Sequence, residues 1–465
     1  MKNVFRLAAM ILPIAIIALF FVSSCEGPRG PAGADGQDGV DGVDANETCK
    51  QCHNPLSVDK IQAEYEFSKH SWGEAAFEEA GNTTCTPCHA DRAFRYVVEN
   101  NVPATFTLNA TTQKYSNNYV TVAGESLGLI DCATCHSSLH TAYTDTDFVF
   151  TNTAAVSMTM WKGAKSINLT QDGGVSNLCV KCHQPRPLTK ASLTDKVTTD
   201  ADSLRFNGDV LDYAGLASAP ADTFWYNYDL SRNVIFPSYR THVHYGVVGA
   251  VYAGTGGVEF AGTEAYNSST HTTVASCPDC HMADVYQRGG GHTFFMRGTD
   301  VELGLTSSTT WNFNGCNVSG CHSAAPISAT STTKWSTPRA NQKTKLNTLA
   351  AKLNALGGGT KILHVNTDPV TNLWYGMTTD NYDGYLDIYD PSTNATGAWR
   401  NPNPSSSWTT AQKNTNNALP DFPSLTKRDM GAMINFQFAL REYSLGIHNT
   451  TYTNALLTNT IALYP

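Results

Sequence analysis

Positive charge is scarce. The 465 residues carry 31 Lys and Arg against 40 Asp and Glu, a formal net charge of −9. A phosphate backbone is held by basic surface, so nucleic acid is excluded as a partner. Long apolar runs are scarce too. The stretch Leu7 to Val22 is short for a membrane span and is broken by Pro13. The spacing of an EF-hand calcium loop is missing. Spare cysteine is almost missing: of 13, twelve fall in six short pairs and only Cys25 stands apart.

Each pair ends on a histidine. Five have the form Cys-x-x-Cys-His: Cys49, Cys52 and His53; Cys85, Cys88 and His89; Cys132, Cys135 and His136; Cys179, Cys182 and His183; Cys277, Cys280 and His281. The sixth is stretched, with four residues between Cys316 and Cys321 before His322. Cys-x-x-Cys-His is the attachment motif of c-type haem. Two thiols add across the vinyl groups and the next imidazole ligates the iron. Zinc sites and disulfides also use Cys-x-x-Cys, but neither requires a histidine directly after every pair. In the sixth copy Gly315 and Gly320 allow a wider loop around the porphyrin edge. Six haems are expected, anchored on these twelve cysteines.

The first residues predict export. Lys2 and Arg6 precede the apolar run, and Val22-Ser23-Ser24-Cys25 resembles a bacterial lipobox with Cys25 as the lipidated residue. Glu26 in the next place favours delivery to the outer membrane or cell surface of a Gram-negative-type envelope. Export agrees with the cofactor, because c-type haem is attached outside the cytoplasm. Six Gly-X-Y triplets then run from Gly27 to Asp44. They have the collagen period but are few, and read as a stiff spacer lifting the haem body off the lipid. The expected organisation is a signal peptide over 1–24 and a lipidated cysteine with spacer over 25–45. A hexahaem domain follows over 46–330, then a C-terminal helical segment over 331–465 that packs on it and supplies a distal histidine.

Haem plates take the place of an ordinary aliphatic core, so the fold class is mainly α with extensive coil and little β, a multihaem cytochrome c architecture wrapped around six haems. Ile61 to Ala80 has helical character and carries His70. Thr105 to Val122 alternates as a hairpin, with Asn109-Ala110 or Asn117-Asn118 at its turn. If His136 and His140 share a helix they lie on one face, so His140 serves a different iron from His136, or none. Residues 191–267 lack a haem motif, hold Arg240, His242 and His244, and are rich in aromatics. Leu346, Leu349, Leu353 and Leu356 predict a helix stopped at Gly357-Gly358-Gly359. Thr426 and Asp429 form a capping box for another helix that ends near Gly446.

Fourteen histidines minus six motif histidines leave eight. Six distal positions are assigned to His70, His140, His244, His271, His292 and His448, with His242 and His364 to spare; Met282 and Met296 are methionine alternatives. Two imidazoles close an iron, so this supply favours electron transfer over catalysis. For His53 the distal candidates are His140, His364 or a residue of another chain.

A histidine upstream of an early motif (His70) is the first of four ordered features. The others are a histidine shortly before a late motif (His271), the Gly-Gly-His after it (His292), and Gly446-Ile447-His448-Asn449 near the end. With these the chain from about His70 to His448 resembles the multihaem cytochrome c group of ammonia-forming nitrite reductase and octahaem hydroxylamine oxidoreductase. It is also similar to exported multihaem cytochromes of extracellular electron transfer. The resemblance implies the pairs His271 with His322, His448 with His281, His292 with His136, and His70 with His183. The nitrite reductase keeps a lysine-ligated active-site haem where this chain has His89. It also has acidic and tyrosine residues where Gln184-Pro185-Arg186 follow His183. Those departures speak against nitrite reduction. Some relatives polymerise, one subunit lending a histidine to its neighbour, which makes a homopolymer one expected assembly.

The function expected is electron transfer through bis-histidine haems between the cell envelope and an external or periplasmic acceptor or redox partner protein. The alternative is a multihaem reductase or oxidoreductase of a small nitrogen or sulfur species. It would work at one open haem, best placed at His89 and lined by His242, His244 or Arg240.

Overall fold

The computed structural model describes residues 45–72, 85–102, 105–109, 114–118, 128–161, 164–186, 206–207, 210–211, 213–218, 224–226, 242–297, 311–367, 376–387, 398–400 and 406–465. The export signal, Cys25, the Gly-X-Y triplets, Arg240 and the second half of the Ile61–Ala80 segment lie outside these residues. The chain divides into a unit of residues 1–53 and a unit of residues 54–465. In the first, the helix Ala45–Cys52 carries the first motif, and His53 N donates to Cys49 O at 2.7 Å.

The second unit is mainly helical with long coil connections and little sheet. Among the described residues, strands occur as two-stranded antiparallel pairs. The hairpin expected after Thr105 is present as Thr105–Asn109 and Lys114–Asn118. Residues 110–113 lie outside the described residues; Asn109 ends the first strand, and Asn117 and Asn118 sit inside the second. The segment carrying His70 is two helices, Val58–Glu66 and Lys69–Trp72. Among the described residues no helix is long and apolar enough to cross a membrane.

Three helices near the C-terminus make the main apolar core. Thr337–Ala355 buries Leu346, Leu349 and Leu353 on one face, the periodicity read from the leucines. Lys427–Arg441 begins with the Thr426/Asp429 capping box, each side chain accepting from the other's backbone N–H. It ends at Arg441, short of Gly446, because residues 442–448 turn away to present His448. Thr450–Ile461 follows, capped by Asn449 Oδ1 on Tyr452 N at 3.1 Å. These helices share a cluster with Met158, Val251, Val258 and Phe260, drawn from between the Cys-His motifs, and with Val180 from inside the fourth. The C-terminal helices and the motif region therefore share one core.

The helix Lys427–Arg441 is buried on all sides although it carries Asn435, Gln437 and Arg441. Buried polar groups persist only when they are hydrogen-bonded. Asn435 accepts from Val258 N at 2.8 Å and donates to Val258 O at 2.7 Å and Thr460 Oγ1 at 2.8 Å. Gln437 accepts from Val243 N at 3.2 Å and donates to Gly384 O at 2.8 Å. Arg441 donates from Nη2 to Asp383 O at 2.8 Å and from Nη1 to His244 O at 3.1 Å. The helix thus grips the loop 242–246, which has no regular structure of its own.

Candidate haem-binding site

Four motifs place cysteine and histidine on a short helical turn: Thr86–His89, Cys132–Cys135, the end of Val175–Cys182, and Cys277–His281. Positions i, i+3 and i+4 of a helix share one face, so both thiols and the imidazole point the same way. Local caps set these turns. Asp131 and Thr134 form a capping box ahead of Cys132, and Ser276 and Asp279 form another ahead of Cys277. The stretched copy is a series of turns, with Gly320 at φ +85°. Gly315 has a different role from the loop-widening expected of it. A Cβ there would stand 1.9 Å from Asp279 O, so glycine allows the sixth motif to lie against the fifth.

Opposite four motif histidines stands a second imidazole. Ring centres are 6.1 Å apart for His183 and His70, 6.3 Å for His89 and His244, 6.2 Å for His281 and His448, and 6.2 Å for His322 and His271. A metal bond of about 2 Å to each nitrogen, with about 1.1 Å from nitrogen to ring centre, places two axial imidazole centres about 6.3 Å apart. His292 lies near enough to His136 for the second charge to oppose its own, while burial is the main force lowering its pKa. Gly290, at φ +94°, steers that chain: a Cβ there would meet Ala283 O at 2.3 Å. His292 N donates to Glu64 Oε2 at 3.0 Å, which fixes it from the helix Val58–Glu66.

His140 is elsewhere. Residues after Cys135 leave the helix, and His140 sits exposed at φ +61° with its ring stacked on Tyr143. His136 and His140 therefore do not share a helical face. His364 approaches Asp383 Oδ2 at 2.6 Å from its Nδ1. His242 lies 6.2 Å from His244, but its Nδ1 accepts from Arg441 Nη1 at 2.6 Å and it follows no cysteine pair. Exposed His53 closes the first unit, one residue beyond its helix.

The outer ring nitrogens are engaged. His136 Nδ1 meets Phe148 O at 2.9 Å, His281 Nδ1 meets Phe294 O at 2.8 Å, and His271 Nδ1 meets Ile447 O at 3.3 Å. A hydrogen bond at Nδ1 fixes the tautomer and leaves Nε2 for a metal. Burial lowers the pKa of His136, His183 and His281 and so favours the neutral, ligating form: His183 is driven down to about 3 and His281 to about 4, each by desolvation first and nearby histidines second. His183 is nevertheless open over more than a third of its surface. Deep yet open describes a residue lining an internal hollow.

None of the twelve described cysteines is in a disulfide. Thiols of different motifs lie close enough to shift one another's pKa: Cys88 and Cys182, Cys179 and Cys277, and Cys280 and Cys316. Cys135 and Cys182 pack on one cluster of Phe94, Val98 and Leu178. The second, fourth, fifth and sixth motifs therefore form a row, with the third beside the fourth.

Haem would fit these residues. Histidines meet in twos, leaving the in-plane positions to another group, and thiols stand beside each pair. The residues that spacing alone missed are Gln437, Arg441 and Glu442, which place His244 and His448. Their signal was polar side chains, Gln437 and Arg441 within the apolar half of the helix and Glu442 just past its end. No protein-family model matches the chain, and no curated protein or solved structure matches it either.

Proposed function

We propose that the chain is an exported hexahaem c-type cytochrome that carries electrons between the cell envelope and an external or periplasmic acceptor. The observation that carries the reading is the set of four imidazole pairs at one spacing, 6.1 to 6.3 Å, each beside a cysteine pair. Haem, when bound, supplies the one-electron couple. The chain contributes attachment, two axial imidazoles and burial, the levers a protein has over such a cofactor. Pairing closes both axial positions, which suits passage of charge and leaves no place for a substrate. The enzyme reading loses its best location, because His244 stands opposite His89.

The row of thiol contacts supports a conduit through the second, fourth, fifth and sixth sites. Porphyrins anchored on adjoining thiols would be neighbours, and the third motif extends the set. A lipid on Cys25 would hold the body at the membrane on its Gly-X-Y spacer. The acidic surface steers a basic redox partner. Assembly into a homopolymer is part of the same proposal, with His140 exposed at the surface.

Intact-mass measurement of the native secreted protein, paired with a haemochrome assay, tests this reading. The expected result is six covalently added haems. A mass equal to the bare polypeptide would end it, and five haems with intact Cys316 and Cys321 thiols would remove the sixth site.

A further inference from the structure

The ligand pairs differ in what holds their outer nitrogen. His136, His271 and His281 face backbone carbonyls. His448 faces a carboxylate: its Nδ1 lies 2.8 Å from Glu442 Oε2. Glu442 is 0% exposed. Its Oε1 accepts from Gly446 N at 2.7 Å, and Oε2 also accepts from Ser444 Oγ. Ser444 Oγ in turn accepts from His448 N at 3.0 Å. Residues 442–448 thus close around one buried negative group. Arg339 feels that charge, but its Nε donates to Ser444 O at 3.2 Å and its guanidinium lies over Trp311 and Trp335.

Burying a carboxylate is costly unless it is well bonded, so this one is held for an interaction it makes in place. A carboxylate on the outer nitrogen of a ligand imidazole raises that ligand's basicity. A more basic ligand stabilises the oxidised metal, and a buried negative charge acts in the same sense with little screening. The neighbouring site is set the other way. Lys334 Nζ lies 3.2 Å from His322 Nδ1, so an ammonium stands where a carboxylate stands at His448. Contact of Cys280 with Cys316 makes the two sites adjacent.

We infer that Glu442 is a positioning residue that holds the His281/His448 site at a lower reduction potential than the adjoining His322/His271 site. The inference rests on the proposed function, because it requires haem at both sites. It gives the step between those sites a direction, from the fifth motif, whose cysteines are half-buried, toward the sixth, whose Cys321 is exposed.

Redox titration of the secreted, haem-loaded protein tests it through a signature that sets this site apart from the other three paired ones. The rings of His281 and His448 are 19° from parallel, while those of the His70, His89 and His271 pairs cross at 77°, 83° and 88°. Parallel imidazoles split the iron π orbitals and give a rhombic low-spin resonance, whereas crossed imidazoles give a strongly anisotropic one. Glu442→Gln keeps the shape and removes the charge. It is expected to raise the midpoint of the rhombic species about tenfold in oxidation ratio, about 59 mV for one electron. Ser444→Ala removes a competing donor from Oε2, strengthens its hold on His448, and is expected to lower the same midpoint. A midpoint unmoved in both variants, or moved in the same direction in both, would overturn the inference. If Glu442→Gln does not fold, the downward shift in Ser444→Ala decides alone. A wild-type protein without haem would end the functional reading before any potential is measured.

Discussion

Replacing His244 with alanine is expected to convert one iron in six from low to high spin and to let it bind cyanide. His244 is the ring opposite His89, 6.3 Å away and crossed at 83°. Nothing about its sequence position announces it: it lies in a segment without a haem motif, in the sequence Thr241-His242-Val243-His244-Tyr245. Its placement comes from the C-terminal half. Gln437 takes Val243 N, Arg441 takes His244 O, and His244 sits at φ +70° between those anchors. Alanine keeps the backbone and deletes the ligand, so the other five sites should keep their spectra. Native protein that already binds cyanide at this site, or a variant with an unchanged spectrum, would contradict the pairing. The result also separates the two functional readings. A conduit needs the position closed, and an enzyme needs it open in the native state.

Arg441→Ala is expected to be the most damaging single change outside the motifs, costing about 3–5 kcal/mol because it removes a buried guanidinium and leaves the three acceptors it served unpaired. The side chain is 0% exposed. Its guanidinium serves Asp383 O, His244 O and His242 Nδ1, and lies 4.7 Å from the ring centre of Tyr245 and 4.9 Å from that of Tyr385. Chemical denaturation should show the loss, and the His89 site should become partly high-spin in the surviving fold because its distal loop is no longer held. Lysine should rescue little, since an ammonium cannot fork to two carbonyls while stacking between two aromatic rings. A stability change under about 1 kcal/mol would show that the buried network is not what holds the loop.

The grouping of cysteine with histidine was legible and much of the scaffold was not. The motifs stand out because their residues recur at a fixed spacing, the one haem attachment would need. The helix with Leu346, Leu349 and Leu353 was legible from its apolar period, and the helix after Thr426 from its capping box. The helix Thr450–Ile461 was not foreseen. Its seven residues Thr450 to Leu456 hold three threonines and an asparagine, poor helix formers, and burial of Leu456, Leu457 and Ala455 in the common core overrides that preference. The condition that would put His140 on a face with His136 is not met, for a local reason: the motif helix stops at Cys135, so a four-residue spacing places the two on no common face. Distal ligands on loops depend on distant residues for their position. Asn449, completely buried, shows this: it caps one helix, accepts from Ser269 N and donates to Tyr252 O, tying the segment before His271 to the one after His448.

Electron paramagnetic resonance of the oxidised native protein measures the claim that every iron has two imidazoles. The account predicts low-spin iron throughout, with strongly anisotropic signals from the three crossed pairs and a rhombic one from His281 and His448. A high-spin ferric signal in the native protein, or the absence of any haem signal, would contradict it.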